Sequence, residues 1–291
     1  LAEGGEVSTR QGKILGMPAA EYHSGTEMSK HQLDAFHRSP AHYQHAKLNP
    51  RPQSEAMREG SLFDTLLLEP ERFNLEHVIA PKFDRRTKAG KEGAAEFEAE
   101  CQASGKTAVD PDLWQQLHAM ADSVRAHKLA SSLILGQAQV SLFWTDRETG
   151  INLRARPDVW LIPDRWIIND IKTTRDCSKG GFHRDVAKFR YHVQAALYCD
   201  GAEALERMVP EFWFTAVEKT PPYFVACHRC TLDLIEWGRQ EYRKDLERFR
   251  HCRDTDTWPG FDEPIDVYPP AWASDGSDDD EIEVGSETVE L

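Results

Sequence analysis

The chain has 291 residues, 40% hydrophobic and 10% aromatic, an ordinary globular composition with apolar material for one large core or two small ones. No run reaches the ~18 uncharged apolar residues of a membrane span, and residues 1–16 lack the apolar centre of a signal peptide, so the expectation is a soluble cytoplasmic protein with no membrane partner. Its 35 basic and 49 acidic residues leave −14, but eight of those acids and no lysine or arginine fall in residues 274–291, which excludes binding by bulk positive charge and still permits a DNA-cutting enzyme with a locally basic groove.

Residues 1 to about 25 show no periodicity and read as an irregular lead-in to one α/β domain over 26–262. Residues 263–291 form an acidic tail expected to be disordered, since it cannot bury enough surface to offset its ordering entropy. The first helix starts at Ser29, a candidate N-cap with Gln32 three residues on and Leu33 and Phe36 on one face. Ser39-Pro40 opens a second helix carrying Tyr43. A third runs from Ser54 to Leu68 with Met57, Leu62, Phe63 and Leu66 to Leu68 largely buried, and stops at Pro70. Residues 83–105 suggest an exposed helix or loop. Pro111 to Leu135 reads as one long amphipathic helix. After Gly136 the period falls to two, giving strands at Val140–Trp144, Ile151–Arg156, Ala155–Ile162 and Trp166–Lys172. A helix from about Phe182 to Asp200 ends near Gly201. A hairpin follows across Pro221-Pro222, and a last helix begins at the N-cap Thr231. The order implies a sheet flanked by helices.

The chemistry concentrates between Arg156 and Thr174. If Pro163-Asp164-Arg165 is a three-residue hairpin loop, Ile162 faces Trp166 and Asp158 stands opposite Asp170; a two-residue loop shifts the register by one and the two acids part. Lys172 shares the face of Asp170, while Ile171 points into the core. Opposed carboxylates repel, so a sheet has reason to carry them when a cation sits between. A hard divalent ion, Mg²⁺ or Mn²⁺, suits oxygen ligands and in-line displacement at phosphorus. Lys172 would then hold or help deprotonate the attacking water and offset transition-state charge. In the next helix Tyr191, Gln194 and Tyr198 share a stripe beside an apolar one.

Pro157-Asp158, Asp170-Ile-Lys172 and Gln194-Ala-Ala-Leu-Tyr198 resemble the PD-(D/E)XK nuclease superfamily, and the Gln-x-x-x-Tyr helix resembles its RecB and lambda-exonuclease branch. Residues Gly60–Pro70, Asp170–Thr174 and Tyr191–Gly201 resemble the nuclease domain of RecE-type exonucleases, a likeness running from about Ser29 to Glu218. It implies a restriction-endonuclease-like core with a central mixed sheet. It also implies a Mg²⁺-dependent exonuclease (Mn²⁺ as the alternative ion) that degrades one strand of duplex DNA from the 5′ end and leaves a 3′ tail. Relatives form rings, here a trimer or tetramer, and work beside a RecT-like annealing protein in phage-type recombination, in a bacterial or phage-infected cell. By motif, Asp158 and Asp170 are metal ligands with the Ile171 carbonyl, Lys172 is catalytic, and Gln194 and Tyr198 support the site. Where the RecE pattern has histidine this chain has Asp64, kept as a ligand by likeness to the lambda type, with Glu69 as rival. Thr173, Thr174, Lys179, Arg184, Arg190 and Tyr191 are the candidate DNA contacts.

Two other readings stand beside this one, a structure-selective or end-trimming nuclease and a non-catalytic DNA-binding subunit; the intact acid–acid–lysine set counts against the second. Cys227-His-Arg-Cys230 has a zinc-like spacing but no second close pair, and reads as a strand end with incidental thiols.

Overall fold

The computed structural model describes residues 10–50, 52–160 and 166–268. Residues 1–9, 51 and 161–165, which include the expected hairpin loop, and those beyond 268, which include the expected acidic tail, lie outside these. In chain order the first half forms β1 (Gly12–Ile14), α1 (Ala19–His23), α2 (Lys30–Arg38), α3 (Pro40–Leu48), α4 (Glu55–Leu68), α5 (Pro70–Glu76), β2 (His77–Ile79), α6 (Lys88–Ser104), β3 (Thr107–Val109), α7 (Pro111–Ala126) and α8 (Lys128–Leu133). The second half adds β4 (Gln137–Ala138), β5 (Ser141–Thr145), β6 (Asn152–Ala155), β7 (Val159–Trp160), β8 (Ile167–Thr174), α9 (Lys179–Lys188), α10 (Tyr191–Glu206), β9 (Glu211–Glu218), β10 (Val225–Arg229) and α11 (Leu232–Thr255).

Local chemistry starts most helices where expected. Ser29 and Gln32 close a reciprocal capping box on α2, Ser39 caps α3 with proline at its first turn, and Thr231 caps α11, each satisfying an orphan amide. A five-stranded sheet has the order β10-β9-β8-β7-β4. Within it β8 and β9 are parallel, joined by a crossover through α9 and α10 as a parallel pair requires, and the other pairs are antiparallel. This is a mixed α/β fold with helices on both faces. Ile168, Phe212, Phe214 and Ala216 pack toward α10 and α11. Ile171 and Val217 face the other way, onto Phe63, Leu66, Leu117 and Met120 of α4 and α7.

Several elements depart from expectation. The lead-in is structured: β1 pairs with β5, and Tyr22 of α1 is buried. β5 and β6 join β1 in a separate three-stranded sheet rather than extending the main one. The long helix from Pro111 breaks at His127, whose ring accepts from the Ala130 amide and so caps α8. The helix after β8 breaks at Arg190, which takes φ 51°. Met57 is 48% exposed, unlike its apolar neighbours in α4. α4 ends at Leu68, ahead of Pro70 as expected, but Pro70 then begins a further helix, α5.

Gly201 does not end α10, which continues to Glu206. A Cβ there would lie 2.8 Å from the Trp144 ring, so glycine admits the indole. The α10–α11 contact depends on a closer approach, since a Cβ at Gly238 would sit 2.0 Å from the His192 carbonyl oxygen. Backbone cannot yield as a side-chain end can, so Gly238→Ala is expected to cost about 1–3 kcal/mol. Thermal melting checks it, and an unchanged midpoint would mean that the helices separate freely.

Candidate active site

Alternation along β8 sends Asp170 and Lys172 to the α10 side and Ile171 to the core of α4 and α7. Asp170 is 2% exposed. Its Oδ1 accepts from Gln194 Nε2 at 2.7 Å, and its Oδ2 is ion-paired with Lys172 Nζ. The Lys172 ammonium lies 4.7 Å from the Tyr191 ring centre and 5.9 Å from that of Phe214, a cation–π setting. Burial disfavours this ammonium, but Asp170, Tyr191 and Asp158 outweigh that and raise its pKa. The net effect favours the charged form of Lys172.

β7 pairs Val159 with Asn169 and Trp160 with Ile168, the register that sets Asp158 against Asp170. The ladder stops short of Pro157, which has no amide to continue it. The side chain of Asp158 takes over instead: Oδ2 accepts from the Ile171 amide at 2.8 Å and Oδ1 from Gln139 Nε2 at 2.9 Å. Gln139, missed in the sequence, adopts φ 51° and also donates its amide to the Asp158 carbonyl at 3.0 Å. No spacing rule marks a glutamine that meets its partner 19 residues away. Desolvation, then Asp170, raise the Asp158 pKa to about 7, against the pull of Lys172 and these amides.

α4 brings in Asp64, whose pKa is pushed well above the ordinary carboxylate range by burial and then by Asp158 and Asp170. The rival Glu69 instead bonds Arg72 at 3.0 Å. Three carboxylates thus share one region with a single lysine. That excess of negative charge among oxygen donors fits a hard divalent cation. The fit lies in donor chemistry, because among the described residues no three His, Cys, Asp or Glu already form a metal-holding group. Asp170 is drawn onto Lys172 and Asp158 onto the Ile171 amide.

The remaining predicted residues divide. Tyr198 is buried against Phe212, with Asp170 and Asp158 near enough to raise its pKa further than burial alone. Tyr191 is half-buried, with its ring against Lys172. Arg190 is turned inward: its guanidinium meets Asp34 at 3.0 Å, Glu241 at 3.3 Å and Asp245 at 2.8 Å. These acids of α2 and α11 occupy the groups a phosphate would need. Thr174 is buried, its hydroxyl donating to Asp185 at 2.7 Å. Thr173 lies beside Glu59, Leu117 and Lys219, between β8 and the α4–α7 layer. Lys179 is exposed at the start of α9, and Arg184 is exposed with Asp176 at 3.6 Å. His228 between the two thiols stacks on Phe182 at 4.4 Å and reaches the Cys177 carbonyl at 3.0 Å.

Gln194 acts on Asp170 directly, so Gln194→Leu is expected to lower turnover about 10–100-fold, as loss of an orienting partner does at metal sites. Steady-state turnover measures it, and an unchanged kcat would detach α10 from the chemistry.

Residues 29–268 match the family model described as a PDDEXK-like domain of unknown function (DUF3799). No curated protein matches the chain. Among solved structures, a protein of Eubacterium rectale provisionally designated an exonuclease shares the fold, with a TM-score of 0.59 and 14% identity over 91% of this chain and 99% of that one.

Proposed function

This chain belongs to the PDDEXK-like DUF3799 family, and from that premise we propose that it is a divalent-metal-dependent nuclease of the RecE type, removing one strand of duplex DNA from the 5′ end to leave a 3′ single-stranded tail for recombination by strand annealing. One observation carries the reading. Adjacent strands bring Asp158 and Asp170 together in the register that the motif needs, with Lys172 on the face of Asp170 and Gln194 bonded to Asp170.

Mg²⁺ or Mn²⁺, held by Asp64, Asp158, Asp170 and the Ile171 carbonyl, would supply Lewis-acid stabilisation of phosphoryl oxygens and activation of water. The chain does the rest. Lys172 presents a fixed ammonium to the charge that develops at phosphorus. Tyr191 and Phe214 keep water from that ammonium, and Gln194 fixes the orientation of Asp170. Lys179 and Arg184 on α9 offer charge for the DNA backbone. Assembly as a trimeric or tetrameric ring, with a RecT-like annealing partner in the cytoplasm, completes the proposal; light scattering of the purified protein tests the ring.

Digestion of linear and closed circular duplex with Mg²⁺, and with EDTA, decides among the readings. An exonuclease consumes the linear form and spares the circle. Cutting of the circle supports a structure-selective nuclease, and cutting of neither leaves a binding subunit. A linear duplex labelled at each end in turn reads the polarity.

A further inference from the structure

Arg156 lies between β6 and β7, two residues before Asp158. Its Nη2 donates to the Met17 carbonyl at 2.9 Å, and the guanidinium carbon stands 5.4 Å from the Tyr22 ring centre. Its other two nitrogens, Nε and Nη1, are buried without a hydrogen-bond partner among the described residues. Buried donors are almost always satisfied, and two orphans on one charged fork call for an explanation. Arg154 of β6, two residues earlier, gives the comparison. Its Nε is likewise buried without a partner among the described residues, but its Nη1 is taken up by two carbonyls, of Tyr22 and Gly25, and the charged groups around it are Glu27 and Arg10 of the N-terminal segment. Arg156 instead has Asp158 and Glu69 within range of its charge, on the side of the carboxylate cluster. Held by one hydrogen bond and one ring, its fork keeps donors in reserve for an oxyanion, which guanidinium geometry matches.

We propose that Arg156 is a catalytic residue whose guanidinium donates, through one of its unpartnered nitrogens, to a non-bridging oxygen of the phosphodiester being cut. This rests on the nuclease reading above. It assigns the N-terminal segment a purpose, since Met17 and Tyr22 hold the guanidinium beside the acids.

The test compares wild type, Arg156→Met and Arg156→Lys on linear duplex with Mg²⁺, using stereodefined phosphorothioates at the cut position. Arg156→Met is expected to lower kcat about 100-fold with KM changed only a few-fold. Its melting temperature should stay level or rise, because an apolar chain of similar length replaces a buried, half-satisfied charge. The slowing caused by the diastereomer that Mn²⁺ does not relieve should shrink in Arg156→Met and persist in part in Arg156→Lys. If wild type cuts no DNA, the nuclease reading fails and takes this one with it. If wild type cuts and Arg156→Met keeps either its kcat or the full sulfur effect, the assignment of Arg156 alone is overturned. A lowered melting temperature with an unaltered sulfur effect overturns it too, making Arg156 an anchor for the N-terminal segment.

Discussion

Lys172→Met is expected to reduce hydrolysis of linear duplex by about 1,000-fold or more, while binding of the same duplex in EDTA changes only a few-fold. Removing one preorganised donor from a developing oxyanion typically costs 10²–10³ in turnover, and Lys172 is charged and half-buried, which strengthens its contribution. Its side chain is 18% exposed, so it adds little to the encounter with DNA, which exposed charges dominate. The methionine keeps the packing against Tyr191 and Phe214, separating charge from volume. Loss of the ammonium also leaves Asp170 beside Asp158 without its counter-ion. The variant's metal-free stability should therefore fall more steeply than wild type's as pH rises. Single-turnover cleavage and fluorescence anisotropy measure the two halves of the expectation. Retained cleavage would remove Lys172 from the chemistry, and a parallel loss of binding would make it a DNA contact.

The sheet-borne part of the site was legible in the sequence because strand geometry is periodic. Once a three-residue loop is assumed, alternation alone places Asp170 and Lys172 on one face, Ile171 on the other and Asp158 opposite Asp170, and the pairing of Val159 with Asn169 has that register. Capping was legible for the same reason, being local: Ser29, Ser39 and Thr231 act within three residues of themselves. What was not legible depends on long-range partners. Arg190 looks like a free cation in a basic stretch, and only the packing of α2 and α11 reveals that Asp34, Glu241 and Asp245 claim it. Gln139 becomes a ligand of Asp158 through a left-handed backbone angle that propensity does not foresee. The apolar stripe from Phe182 to Leu197 ran through a real break because periodicity carries across a kink whose cause, the buried Arg190 network, lies elsewhere in the chain.

Asp64→Asn is expected to raise the melting temperature of the metal-free protein at pH 8, by about 5–10 °C, and to blunt the stabilisation that Mg²⁺ or Mn²⁺ gives wild type. The folded pKa of Asp64 stands well above its ordinary value of 3.8, and that of Asp158 is raised to about 7. For an acid raised on folding, the native state binds the extra protons, so stability is greatest below the unfolded value and is lost as pH climbs through the folded one. Metal-free wild type should therefore weaken from about pH 4 to about pH 7 through Asp158, with Asp64 adding a loss of the same sign as pH rises. The interval for Asp158 alone corresponds to a ceiling of about 4 kcal/mol, and a domain of this size shifts by ~2–4 °C per kcal/mol. Asparagine at position 64 removes one of the charges that penalise folding and leaves its shape. A divalent ion relieves the same repulsion by mass action, so its effect on wild type should be larger at pH 8 than at pH 5, where protons compete for Asp158. Melting curves with and without the ion at both pH values provide the check. A flat pH response, or an Asp64→Asn protein that melts below wild type at pH 8, would mean that the three carboxylates do not strain one another, and with that the case for a cation among them would be gone.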